Sequence, residues 1–99
     1  ADRYPDSEYA GQSLAKLVDY YIEKRDYVQA NELLDQIFQD YPDADFLDSM
    51  LLKWVMVAYR MGEYQKAYDK CKSLVFEYPG SQFAERAKKI LPKIKAKVK

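Results

Sequence analysis

The sequence predicts an all-α fold built from repeated helix pairs, and three observations lead there. The words "RYPDSEY", "DYPDADF" and "EYPGSQF" recur every 37 residues and put Pro5, Pro42 and Pro79 in register. Between the prolines the apolar residues follow helical spacing rather than alternation. Composition agrees, with 48% hydrophobic residues in a chain of 99 and only three Gly and four Pro to interrupt helices. The length is that of one domain, and no apolar run reaches the roughly 18 residues of a membrane span.

Sliding the chain by 37 residues aligns more than the prolines. Tyr4, Tyr41 and Tyr78 coincide, as do Tyr9, Phe46 and Phe83, and Tyr27 and Ala30 fall on Tyr64 and Ala67. In the first helix of each unit, Leu14, Leu17, Val18 and Tyr21 match Leu51, Trp54, Val55 and Ala58, a stripe along one face. The second helix carries Tyr27, Ala30, Leu34 and Ile37, then Tyr64, Ala67, Cys71 and Leu74. Gly62 suits the left-handed residue that ends a helix, whereas Arg25 stands at the matching place in the first unit. The first turn is therefore expected to be the looser, at a cost of about 1 kcal/mol if it adopts the same geometry.

Each proline removes an amide donor and crowds the turn before it, which ends the second helix. The polar residues that follow start the next one, with Asp6 or Ser7, Asp43 or Asp45, and Ser81 as the expected N-caps. A calcium-loop reading of Asp43, Asp45 and Asp48 fails because the loop glycine and the terminal Glu are missing. The units are expected at about 7–40 and 44–77, followed over about 81–98 by a capping helix or the start of a third repeat. Ala84, Ala87, Leu91, Ile94 and Val98 would form its apolar stripe, and Pro92 should kink or shorten it. "RYP" at the start reads as the tail of a preceding second helix, so the chain is expected to belong to a longer array.

What is missing narrows the chemistry. There is no His and a single cysteine, Cys71, which leaves no His-centred acid–base catalysis, no intrachain disulfide and no Cys/His zinc site. Glycine-rich phosphate loops and nucleophile elbows are absent too. No enzymatic activity and no cofactor are expected. Cys71 lies on a core stripe and reads as a small buried hydrophobe. Most of the ten tyrosines occupy repeat positions, where they pack between helices.

These residues together resemble the tetratricopeptide repeat. The second unit is closest: Leu51, Trp54, Gly62, Tyr64, Ala67, Leu74 and Pro79 follow the pattern, while Ala58 and Cys71 stand where aromatics are usual. The first keeps Leu14, Leu17, Tyr21, Tyr27, Ala30, Ile37 and Pro42. The longer period and the "YPDSEYA" wording are similar to bacterial repeats of outer-membrane assembly lipoproteins and Tol-Pal-associated coordinators. The resemblance implies a right-handed α-α superhelix whose first helices line a concave groove that binds a protein or peptide segment. It also favours the periplasm or cell envelope over the cytoplasm, a choice that one cysteine leaves open.

In this chain the groove residues implied are Gln12, Ala15, Asp19, Ile22 and Glu23, then Ser49, Leu52, Lys53, Met56, Tyr59 and Arg60, continued by Arg86, Lys89 and Lys93. Affinity is expected from Leu52, Met56 and Tyr59, and orientation from Asp19, Glu23, Lys53, Arg60 and Lys89. The carboxylate clamp of chaperone-binding repeats is not supported. Its positions correspond to Ala15, Asp19, Lys53, Arg86 and Ile90, of which only Arg86 fits.

Net charge is zero but sorted. Residues 1–50 hold 12 acids and 4 bases, and residues 51–99 the reverse, −8 against +8. That supports an alternative in which acidic and basic ends stack head to tail as a structural spacer or homo-oligomer. A basic C-terminal helix could also touch an anionic membrane surface. Nucleic acid is not expected, because no stacking aromatics accompany the lysines and the acidic half would repel phosphate.

Overall fold

A computed structural model describes residues 7–98. Five helices follow in order: α1 (Ser7–Glu23), α2 (Tyr27–Asp40), α3 (Leu47–Arg60), α4 (Tyr64–Glu77) and α5 (Gln82–Lys95). They form two antiparallel pairs and a fifth helix, the all-α arrangement of tetratricopeptide repeats. Helix α3 packs against all four others, while α1 meets α2 and α3, and α5 meets α3 and α4. The first Tyr-Pro pair, Tyr4 and Pro5, and the cap expected of Asp6 lie outside the described residues.

Local chemistry sets the helix ends. Helices α2 and α4 both stop one residue before the Tyr that precedes proline, and Tyr41 and Tyr78 have nearly the same backbone (φ −129° in both, ψ 59° and 56°). Their N–H groups still donate to Ile37 and Leu74, closing the last turn. Asp26 caps α2 by accepting from the Gln29 N–H at 3.3 Å, and Ser81 caps α5 by accepting from the Phe83 N–H at 3.0 Å. Neither Asp43 nor Asp45 caps α3. That helix begins later, with Phe46 at the cap position and no side-chain acceptor. Its first turn is tied instead by the Ser49 hydroxyl, which donates to the Phe46 carbonyl at 3.0 Å, and by Asp48, which accepts the Ser49 N–H at 2.8 Å.

The two intra-pair turns are alike, contrary to the expectation of a looser first one. Arg25 takes φ 61° where Gly62 takes φ 79°. In each, two hydrogen bonds close the helix end: Arg25 to Ile22 and Asp26 to Tyr21 (both 2.9 Å), and Gly62 to Tyr59 (3.0 Å) and Glu63 to Ala58 (2.9 Å). Satisfying the last carbonyls outweighs the strain of a left-handed Arg, so the geometry persists without glycine.

The core runs through all five helices and centres on α3, where eight residues are buried from Leu47 to Ala58. From α2 come Ala30, Leu34 and Ile37, from α4 Ala67, Cys71 and Leu74, and from α5 Ala84, Ala87 and Ile94. Helix α1 contributes Val18, with Leu14 and Tyr21 half-buried, but Leu17 is 41% exposed and does not join the stripe as expected. Trp54, the residue 37 positions on, is covered by α2: it stacks on Phe38 (ring centroids 5.2 Å apart) and donates its indole N–H to Asn31 at 2.8 Å. Lys66 of α4 donates to the same Asn31 oxygen at 2.8 Å, and Lys70 lies 3.8 Å from the Trp54 ring centre. Burial there, helped by Lys66, holds the Lys70 ammonium below its usual pKa.

Joints between the pairs are packed differently. At the first, Phe46 rests on Tyr41 (centroids 5.5 Å apart) and on Gly11, where an added Cβ would come within 2.7 Å of its ring. At the second, Asp48 stands where the first has Gly11, and its carboxylate accepts from the Ser81 hydroxyl at 2.7 Å. Pro92 does not end α5, which continues to Lys95, and the Ala96 N–H donates to the Pro92 carbonyl. Lys88, Pro92 and Lys95, at the positions of Leu51, Val55 and Ala58, are all exposed.

Candidate functional site: the face formed by the first helices

Side-by-side packing of α1, α3 and α5 makes one face on which two neighbouring hollows open. The larger, of about 300 Å³, lies between α3 and α5 and is lined by Val55, Met56, Tyr59, Arg60, Ile90, Lys93 and Ile94. The second, of about 260 Å³, lies between α1 and α3 and is lined by Ile22, Glu23, Arg25, Tyr27, Met56, Val57 and Arg60. Met56 and Arg60 border both, so α3 forms a ridge with a hollow on either side, the one toward α5 mainly apolar.

Sequence position explains the ridge. Met56 and Arg60 are one turn apart and lie off the Leu51, Val55, Ala58 stripe, so packing on α4 leaves them outward. Met56 is 47% exposed, and an unbranched thioether can reshape itself around a ligand. Tyr59 is half-buried against the Tyr64 ring, centroids 5.1 Å apart, which fixes its plane while leaving an edge to the hollow.

Of the residues expected to line a groove, Met56, Tyr59, Arg60 and Lys93 come together in the first hollow, and Ile22 and Glu23 join Met56 and Arg60 in the second. Leu52 is buried with 8% exposure and lines neither hollow, so it offers little contact surface of its own. Asp19 and Lys53 bind one another at 2.8 Å across α1 and α3. Gln12, Arg86 and Lys89 are exposed but line neither hollow. Among the lining residues outside the expected groove set is Ile90, which the resemblance places only at a clamp position and which with Lys93 and Ile94 repeats the i, i+3, i+4 spacing of a helix face.

Electrostatics separates the hollows. Arg60 and Lys93 have no ion pair or side-chain hydrogen bond among the described residues, and no acid lines the hollow they share. The other hollow places Glu23 among Arg25 and Arg60. Elsewhere the described residues contain no cluster of potential metal ligands. Cys71 is buried on α4, its thiol donating to the Ala87 carbonyl at 3.3 Å, and burial pushes its pKa up to about 11, so it lacks thiolate character.

This chain of repeated helix pairs with a Tyr-Pro word every 37 residues has a counterpart among known families. Residues 1–98 match the family model described as "YfiO: Outer membrane lipoprotein". The chain belongs to this family. YfiO membership locates it in the cell envelope, and at family level the role is protein interaction through tetratricopeptide-like repeats, not enzymatic chemistry. No helix among the described residues is long and apolar enough to cross a membrane. No curated protein and no solved structure matches the chain.

Proposed function

We propose that the α1–α3–α5 face is a docking groove that holds a segment of a partner protein during envelope assembly, without catalysis. The observation that carries this reading is the hollow between α3 and α5, where Met56, Tyr59, Ile90 and Ile94 surround space of about 300 Å³, enough for one large side chain. Apolar lining supplies affinity, and the cations at the rim supply orientation. Photo-crosslinking residues placed at Met56 and Lys93 should each yield the same discrete protein adduct in cells, while one at Phe76, 72% exposed on α4, should not. Met56→Asp should remove the Lys93 adduct while helix content stays unchanged. Equal labelling from Phe76, or an adduct that survives Met56→Asp, counts against the groove.

Charge sorting supports a second reading, head-to-tail self-association as a spacer, since α5 exposes Lys88 and Lys95 at the end of the helix stack and acids predominate in the first half. It requires a mass that rises with concentration and falls with salt. A constant monomer mass at low salt ends it.

A further inference from the structure

We infer that the groove selects a segment by a side-chain carboxylate set next to an apolar anchor, with the carboxylate received by Arg60 and Lys93. The inference rests on the docking reading and specifies its ligand. Its basis is the difference between the two hollows: they share Met56 and Arg60, but only the one toward α5 is mainly apolar and combines two unpaired cations with no acid.

One pair of charges on this face is already closed. Asp19 of α1 and Lys53 of α3, about two turns before Arg60, neutralise one another at 2.8 Å, whereas Arg60 of α3 and Lys93 of α5 have no such partner among the described residues. Arg60 and Lys93 flank the mouth of a hollow whose floor is Val55, Ile90 and Ile94, so an acid bound there is partly shielded from water and its attraction to the two cations is screened less than on an open surface. An apolar side chain in the hollow and a carboxylate at its mouth satisfy both features together. Neighbouring helices pack about 8–10 Å apart, so a second apolar residue about 10 Å along the segment would reach the hollow between α1 and α3. Glu23 there offsets one of the two cations, Arg25 and Arg60, so a second acid is drawn less strongly and the segment takes a direction, acid toward α5. Anionic lipid fits less well, because in a bilayer the acyl chains lie beneath the charged headgroup and are not presented beside it.

A library of random peptides displayed as internal segments, with no free C-terminus, tests this on the full chain. Clones selected by the wild-type protein should be enriched in Asp or Glu next to Leu, Ile, Met or Phe. Changing the acid to Gln should weaken a selected peptide about tenfold, and Met56→Asp should abolish its binding. The double variant Arg60→Glu/Lys93→Glu should lose acidic clones and select basic ones, a swap that a purely apolar groove would not produce. Clones sensitive to Met56→Asp but without charge preference overturn the carboxylate assignment and leave the docking groove standing. Clones that ignore Met56→Asp, or no clones at all, overturn both. Binding only to peptides with a free C-terminus, or only to vesicles containing phosphatidylglycerol, also overturns the inference.

Discussion

Helices α1 and α3 hold the same place in successive repeats and carry matching stripes, yet the chain treats them differently. Helix α3 is enclosed by four helices and buries eight residues, among them Trp54 at 4% exposure, whereas its counterpart Leu17 on α1 is 41% exposed. Val57 is 1% exposed, and its counterpart Tyr20 is 52% exposed. The reason is neighbourhood. Helix α2 covers Trp54 through Phe38 and Asn31, Val57 lies beside Ile22 of α1 and Tyr27 of α2, and no described helix precedes α1 to do the same for Leu17 and Tyr20. A repeat helix thus carries two apolar faces, one for its own partner and one for the preceding unit, and burial of the second depends on position in the stack.

The largest expected effect tests that difference directly. Trp54→Ala removes a ring packed on Phe38 and under Lys70, as well as the hydrogen bond to Asn31, and should destabilise by about 3–5 kcal/mol in chemical denaturation. Leu17→Ala should cost about 1 kcal/mol or less. Equal losses would mean that Leu17 is covered in solution. Next comes the first joint: Gly11→Ala drives a methyl into Phe46 and should cost about 1–3 kcal/mol, a loss relieved when Phe46→Leu is added. At the second joint, Asp48→Ala removes a hydrogen bond to Ser81 and should cost about 1 kcal/mol.

Smaller effects separate the two turns. Arg25→Gly relieves a left-handed Arg but adds unfolded-chain freedom, so a gain of roughly 0.5 kcal/mol is expected. Gly62→Ala should lose about 1 kcal/mol at the same geometry. A loss from Arg25→Gly would show that the arginine side chain contributes to the first turn. At neutral pH the last effect vanishes. The Cys71 thiol ionises near 9 when unfolded but only at about 11 when folded, so between those values the unfolded state binds fewer protons and stability falls as pH rises. Cys71→Ala should flatten the denaturation midpoint over that interval relative to wild type, and an unchanged slope would contradict the buried, protonated thiol.

Much of this architecture was legible beforehand because its causes are local. A proline cannot donate its amide hydrogen, so helix ends at Asp40 and Glu77 follow from Pro42 and Pro79. The 37-residue period phases all five helices. Tyr27 and Tyr64 open α2 and α4, and Cys71 is buried, both as their repeat positions indicate. The starts of helices were less legible: Asp43 and Asp45 looked like caps, but Phe46 is held by Tyr41 and Gly11, and that packing delays α3 to Leu47.

At the candidate site, the resemblance to tetratricopeptide repeats implied Met56, Tyr59 and Arg60 as groove residues, and helical spacing is consistent with their sharing one side of α3. What spacing does not contain is which neighbour stands beside that face. Only the packed helices remove Leu52 from the surface, pair Asp19 with Lys53, expose Leu17, and bring Ile90 and Lys93 of α5 up to Arg60 of α3. Period and helix ends are properties of a stretch of chain, whereas exposure, pairing and cavities belong to residues 30 or more positions apart, and only the tertiary structure decides them.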